Sequence, residues 1–524
     1  MCKNTLYDSQ MESSSIYKSC RILWGVLMGL SFIVGCSRYH LPKQKPTLPQ
    51  KFEALSDSNR ASTQTITQDE SWWTSFQDPQ LNQYIQKMFS KNLQLKQAQE
   101  RLIQMRAVAS QFGSDRWPTL DANLGWSRTK QLNPLSRMTG RTGGSSSAGA
   151  TNGPPAGAGL PQLDDTFTQD SYQATLSVSY EIDIWGRIGS LLQAAERDAM
   201  ASQQDLKAVA ITLSAQAVGL WFDLLELQLR QKIIKNQVNS DQEQLELIRL
   251  RFQQGSVPHV DVLQQTLQTD ATRSQLPLIQ AQQKVLVRQM AVLVGQSSFP
   301  LSQFSTLQSL PLLPTLPQIG LPLKILMQRP DIQSLQARLA ASDARVSAAV
   351  SARLPALRIG GSAGYQSFEP DQLFDQWIWS INSNLLAPIF QAGRLKTEQK
   401  RQESILREQL HILSEKMLVA YHEVENAIDL EKSQLQQLQL LKTQLSTAQN
   451  LLISAQTRYA EGMGDLLTIL NAQKGLYSTQ LSYLSAHRNL VNHRIQLHKA
   501  IAGDWKSMST SKVTSPTSNH NNKE

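Results

Sequence analysis

Two halves of the chain match at a fixed spacing. Gly186-Arg187 recurs as Gly393-Arg394, Arg251-Phe252 with Gly255 recurs as Arg458-Tyr459 with Gly462, and Val262-Leu263 recurs as Ile469-Leu470. All three pairs lie 207 residues apart, and a constant offset is the mark of a tandem repeat. Upstream the offset is 237, because Pro118 in Trp117-Pro118-Thr119-Leu120 corresponds to Pro355 in Leu354-Pro355-Ala356-Leu357. The first half therefore holds 30 extra residues between its Pro and its Gly-Arg pair. The surplus falls in 131–165, which is rich in Gly, Ser, Pro and Ala, where the second half has only the turn Glu369-Pro370-Asp371. An insertion tolerated at one point marks an exposed loop tip.

Each half reads as helix, hairpin, long helix and return helix. Leu120, Ala122, Leu124 and Trp126 alternate with mostly polar residues, as do Tyr172, Ala174, Leu176, Val178, Tyr180, Ile182 and Ile184. The second half repeats the pattern around 357–365 and 377–385. Period two over about ten residues is the signature of a membrane-barrel strand, apolar to lipid and polar to the lumen. An amphipathic hairpin in a water-soluble protein gives the same alternation. Four strands cannot close a barrel, whereas three chains would supply twelve.

Proline is absent from 187–252 and from 394–459, 66 residues each. As helices they would reach ~100 Å, more than one globular core needs. Leu206, Ala210, Leu213, Ala217, Leu220, Leu224 and Leu227 form a heptad seam, and the 207 offset carries it onto Leu413, Met417, Ala420, Val424 and Ala427. Such a seam suits a coiled-coil wall or a soluble helical bundle. Gly255 and Gly462 suit helix C-termini, and new helices are predicted near Pro258 and Asp465. The return helices end near Gly295 and Gly503. Residues 300–328 carry many prolines and are expected to form an extended connector. The tail from 506 is Ser-, Thr- and Asn-rich and is expected to be disordered.

The N-terminal region reads as an export signal. Lys18 and Arg21 precede an uncharged run over 22–35, 14 residues long, too short to span a bilayer comfortably. It ends in Ile33-Val34-Gly35-Cys36, which resembles the bacterial lipobox, in which the Cys is lipidated. Ser37 in place of Asp favours the outer membrane by the same resemblance. The three cysteines, Cys2, Cys20 and Cys36, all fall in this region and give no disulfide framework. Net charge is +9 without a like-charge run, so nucleic-acid binding is not indicated. The eight His show no zinc spacing, Glu423 and Glu425 point to different faces of a helix as solvated surface groups, and the glycine-rich insertion lacks a Walker Lys. No catalytic residue, cofactor or metal is expected.

Several segments together resemble the TolC-type outer-membrane factors, in the lipoprotein branch serving resistance-nodulation-division efflux systems. Residues 71–81, with Trp72, Trp73, Phe76, Asp78 and Pro79, resemble the family's opening signature. Residues 92–98 resemble its first helix, Gln328-Arg329-Pro330-Asp331-Ile332 its mid-chain signature, and 387–395 its turn out of the barrel. Arg458-Tyr459 with Gly462, and Leu470-Asn471-Ala472-Gln473, resemble its second tip. The chain departs from the family in Gly503-Asp504-Trp505, where Gly-Gly-Trp is common, and in Asn471, where an Asp is common.

The resemblance implies a mainly α chain with four strands contributing to a trimeric twelve-stranded barrel, and a tunnel of helices across the periplasm. It implies a homotrimer in outer-membrane lipid, meeting a periplasmic adaptor protein that joins an inner-membrane pump. Gly255, Pro258, Gly462 and Gly464 would mark the adaptor-contacting tips. Asp261, Asp465 and Asn471 are the candidate gate residues, although helix N-terminal charge pairing is the favoured reading of both Asp residues. The implied function is a passive exit duct for small molecules such as drugs. The alternatives are a duct for protein or metal-ion export, or a lipid-anchored periplasmic coiled-coil spacer without a pore. The expected divisions are a signal peptide at 1–35, an anchored segment at 36–75, a first repeat at 76–299, a connector at 300–328, a second repeat at 329–505 and a tail at 506–524.

Overall fold

The computed structural model describes residues 72–132, 166–298, 309–311, 313 and 322–501, all within the unit spanning Pro46–Glu524. Cys36, the signal segment, the glycine-rich insertion, most of the connector and the tail lie outside the described residues.

After a short 3-10 turn at Trp72–Phe76, the first half runs α1 (Pro79–Lys91), α2 (Leu93–Ser114), β1 (Thr119–Leu132), β2 (Thr166–Ile182), α3 (Arg187–Gln253), α4 (His259–Arg273) and α5 (Gln275–Leu293). The second runs α6 (Pro322–Gln328), α7 (Pro330–Ser351), β3 (Ala356–Ser367), β4 (Trp377–Leu386), α8 (Arg394–Ala460) and α9 (Leu466–Ala500). The long helices have 67 residues each, one more than the proline-free spans predict. Two elements differ from expectation. Pro322–Gln328 is helical rather than extended connector, with Leu326 buried. The first return helix is broken at Ser274, because Pro277 lacks an N–H and obstructs the preceding turn; Leu484 holds the matching position in α9, which runs unbroken.

The predicted seams face inward. Ala210, Leu213, Ala217 and Leu224 are buried on α3, and Leu413, Met417, Ala420, Val424 and Ala427 on α8. Part of α3 is long and apolar enough to cross a bilayer. Most of that stretch is buried, in a cluster that joins Trp221 and Phe222 to Trp72, Trp73 and Phe76, to Leu81, Tyr84, Ile85 and Met88 of α1, and to Met290 of α5. Asp78 fixes this junction: its Oδ1 accepts from the N–H groups of Gln80 and Leu81, capping α1, while its Oδ2 accepts from Trp221 Nε1 at 2.8 Å.

Helix α7 ties the repeats together. Arg338 and Arg345 of α7 pair with Asp205 and Asp198 of α3, and Arg329 at its N-terminus reaches α8 and α9. Arg329 donates to Asp331 at 2.9 and 3.1 Å, to Glu423 at 2.7 Å and to the Ala500 carbonyl at 2.9 Å. Glu423, expected as a solvated surface group, is thus an ion-pair partner of Arg329 and Lys416, and Glu425 accepts from Tyr421 Oη. Sequence spacing placed these two carboxylates on different faces correctly; it could not show what each face meets.

The four strands form one antiparallel sheet in the order β1-β2-β3-β4. The chain direction alternates, so Leu132, Thr166, Ser367 and Trp377 lie toward one end of the sheet and α2, α3, α7 and α8 all join at the other.

Candidate functional site

The sheet register decides which side chains share a face. Leu120 pairs with Val178, Ala122 with Leu176, Leu124 with Ala174 and Trp126 with Tyr172. The same face continues through Tyr180 opposite Ile359 and Ile182 opposite Leu357. It ends on β4 with Trp377, Trp379, Ile381 and Leu385. The other face carries Asp121, Asn123, Ser177, Ser179, Glu181, Arg358, Ser362, Gln366, Ser380, Asn382 and Asn384. Among the described residues nothing covers the apolar face: Leu124 is 84% exposed, Ile381 76% and Trp379 64%. In water that face and the two unpaired edges, β1 and β4, would drive aggregation. Lipid on the apolar face and further copies on the edges remove both problems.

Where the sheet meets the helices, Glu181 accepts from Arg187 at 2.6 Å and from Arg358 at 3.2 Å. Gly186 takes a positive φ of 72° to turn the chain from β2 into α3, and Gly393 does the same at 80° before α8. Trp185 Nε1 donates to the Pro355 carbonyl at 2.7 Å, and Ser351 Oγ donates to the Trp185 carbonyl at 2.9 Å, clamping the two repeats at this corner. The recurrent Gly-Arg motif is therefore a corner between strand and helix.

At the far end of the long helices, the two tips are built alike. Gly255 and Gly462 have φ of 72° and 73°, and each ends its helix with the paired turn bonds of a left-handed cap: Ser256 N to Arg251 O and Met463 N to Arg458 O, both 2.9 Å. Pro258, in extended conformation, starts α4. Asp465 is the N-cap of α9, its Oδ1 accepting from Thr468 N at 3.0 Å, and the Thr468 bonds hold its carboxyl below the usual carboxylate range. Asp261 sits half-buried in the first turn of α4 without a capping bond. Charge pairing with a helix N-terminus thus accounts for Asp465 by direct capping and for Asp261 by its first-turn position alone. Asn471 is exposed on α9. A Cβ on Gly464 would stand 3.3 Å from Tyr459 N, so the second tip also needs a small residue there. The two tips meet: Arg251 lies 4.8 Å over the Tyr459 ring, and Ile248 joins Ala455, Tyr459, Leu466, Ile469 and Ala472 in one cluster. Phe252, Val260, Leu263, Leu267, Met463 and Leu467 are exposed around it.

Sequence reasoning missed three buried polar contacts. Arg329 lay in a recognised motif, yet its partners come from residues 94 and 171 positions away. Arg494 and Glu431 form an ion pair buried between α8 and α9, with Arg494 Nε 3.0 Å from both carboxylate oxygens. Asp241, fully buried on α3, meets Thr272 of α4. A charged residue at a seam position is the one signal that could have pointed to the last two.

Known proteins share this arrangement. The chain is 30% identical over 465 residues to the pyoverdine export outer membrane protein OpmQ of Pseudomonas putida, covering 88% of this chain and 93% of that one. It is 27% identical to the toluene efflux pump outer membrane protein TtgF of Pseudomonas putida, covering 89% and 92%. Among solved structures, the outer-membrane channel OprN superposes with a TM-score of 0.75 at 24% identity, over 89% of this chain and 98% of that one. The CmeC outer membrane channel of Campylobacter jejuni gives 0.75 at 22%, over 89% and 94%. The outer membrane efflux protein family matches residues 84–296 and 321–503, the two repeats without the connector, and the chain belongs to that family.

Proposed function

We propose that the chain is the outer-membrane exit duct of a tripartite efflux pump. Three copies edge to edge form a twelve-stranded barrel, with the apolar face in lipid and the polar face toward the lumen. The single observation that carries this reading is the sheet: its apolar face is bare, its opposite face is polar, and both its edges are open. A pore-less spacer would have to hide that face, and the described chain has nothing folded over it. The family and its fold are those of channels, so transport proceeds without a chemical step.

The long helices extend the duct into the periplasm, with the tips around Gly255, Pro258, Gly462 and Gly464 meeting a periplasmic adaptor that joins an inner-membrane pump. Exposed apolar residues at the tips, including Leu267 and Met463, favour a protein partner there. Asp261, Asp465 and Asn471 lie beside the same mouth, and relative movement of the helix pairs would open it. Cys36 carries the lipid that anchors the mature N-terminus. The cargo is a small molecule: relatives are named for pyoverdine and for toluene, and the largely neutral polar face selects weakly by charge.

The test is conductance of the purified protein in planar bilayers. Discrete channels that change with a Cys cross-link between the tips support the duct. A protein that inserts without conductance at any voltage returns the spacer reading.

A further inference from the structure

Asp241 is a buried acid that neither the fold nor the proposed duct requires. It lies on α3 with no side-chain exposure, facing α4 and α9. From α4, Thr272 Oγ1 donates to its Oδ2 at 2.8 Å, Gln265 Nε2 donates to its backbone carbonyl at 2.9 Å, and Thr269 Oγ1 reaches the same carbonyl at 3.4 Å. From α9, Tyr477 is the titratable group turned toward it; burial and the Asp241 charge push that phenol up to about 12, and Ser240, beside Asp241 on α3, hydrogen-bonds it. No Lys or Arg offsets the Asp241 charge among the described residues.

Two acceptor atoms in this cluster have no donor: Asp241 Oδ1 and Gln265 Oε1, both on residues with no exposure. An orphaned buried acceptor is costly, and one proton supplies what both lack. The second repeat shows that the helix packing does not depend on the cluster. At the positions of Asp241, Gln265 and Thr269 it has Ala448, Ala472 and Leu476, each 207 residues on. The cluster also lies just ahead of the break at Ser274, which the second repeat lacks. That one-residue break, where Pro277 removes a backbone bond, separates α4, the half of the return helix bearing the tip, from α5.

We propose that Asp241 is a proton-operated lock on α4. On acidification its carboxyl takes up one proton from solvent. The new O–H on Oδ1 is donated to Gln265 Oε1, directly or through one water, and fastens the tip half of the return helix to α3. When the proton leaves, the charge faces the Gln265 Oε1 acceptor, which repels it, and α4 loosens. Burial raises the Asp241 pKa against the lowering effect of the Thr272 bond, which agrees in sign. A raised folded value means the added stability is full below the ordinary aspartate range, about 3.9, and is lost as pH rises through the folded value. The inference stands on the packing of α3 and α4 and does not depend on the duct reading.

The test is hydrogen exchange of α4 peptides in the full-length protein extracted in detergent, from pH 4 to 8, with rates normalised to the unstructured chain. The wild-type protein should lose α4 protection several-fold as pH rises through this range, while the tip end of α9, far along the helix from His498, changes little. Asp241→Asn, whose amide donates without titrating, should keep the acid-level protection throughout. A double variant, Asp241→Ala with Gln265→Ala, copies residues that already serve at 448 and 472, and its α4 should be independent of pH. Wild-type protection that ignores pH, an unchanged slope in Asp241→Asn, or protection that follows added sodium at fixed pH would each overturn the lock.

Discussion

Asn92 and Arg329 occupy the same position in the two repeats, 237 residues apart, and each donates to the last residue of its own return helix. Asn92 Nδ2 meets the Leu293 carbonyl at 2.8 Å, and Arg329 Nη1 meets the Ala500 carbonyl at 2.9 Å. Leu293 and Ala500 are themselves 207 apart. One contact has thus persisted through a change of donor chemistry, because the carbonyls at a helix C-terminus need partners in either half.

The two donors differ in what else they hold. Asn92 also caps α2 by accepting from Leu95 N at 2.8 Å, whereas Arg329 also bridges Asp331 and Glu423. Asn92→Ala should therefore cost about 1–2 kcal/mol. Arg329→Ala removes charge-assisted bonds to partly exposed Asp331 and Glu423, which keep Lys416, and leaves the Ala500 carbonyl without its donor, so it should cost more, about 2–3 kcal/mol. Thermal melts followed by helix signal in detergent will rank them, and equal costs would contradict this division of roles.

The Glu431–Arg494 pair makes a second use of the duplication. The matching residues in the first repeat are Leu224 and Val287, both buried in the apolar cluster. Breaking the pair with Arg494→Val alone should destabilise by about 3–5 kcal/mol, while Glu431→Leu together with Arg494→Val should be neutral or stabilising by about 1–4 kcal/mol. A double variant as unstable as the single one would show that the surroundings are tuned to charge.

The duplication itself, the long helices, the four strands and the glycine tips were legible in the sequence because each follows from periodicity, proline absence or positive φ. The inward seams were legible for the same reason: Leu213 and Leu413 fall on the heptad and are buried. Partners across the fold were not, since Arg329 and Glu423 meet through tertiary packing that no local pattern encodes. The break at Ser274 had a visible cause in Pro277, yet the helical periodicity around it is continuous enough to mask it. The gate assignments rest on resemblance, and the geometry adds only that Asp465 has a capping role.

Acid should act through His498. Its ring stacks on Trp72 at 5.1 Å, and burial, helped by the Arg494 charge, pushes its pKa down to about 4. A depressed value means the stability is full above the ordinary histidine range, about 6.5, and is lost as pH falls from there toward the folded value. His498→Phe keeps a ring on Trp72 and removes the titration. Between pH 7 and 4.5 the wild-type protein should lose up to about 3 kcal/mol more than the variant, read as the difference between their melting shifts.

Within the sheet, Gly364 allows β2 and β3 to approach. A Cβ there would fall 2.1 Å from the Ala174 carbonyl oxygen and 2.6 Å from Thr175 Cα, both backbone atoms that cannot yield cheaply. Gly364→Ala should sharply reduce the protein recovered from outer membranes, whereas Ser362→Ala, on the same polar face, should not. Immunoblots of membrane fractions decide it, and equal recovery would contradict the observed register.

The most direct test of the duct is the native mass of the protein extracted from outer membranes in mild detergent. The open edges at β1 and β4 predict a trimer, twelve strands closed into one barrel. A monomer or dimer would contradict it, because four or eight such strands with these helices beneath them would leave the duct unformed.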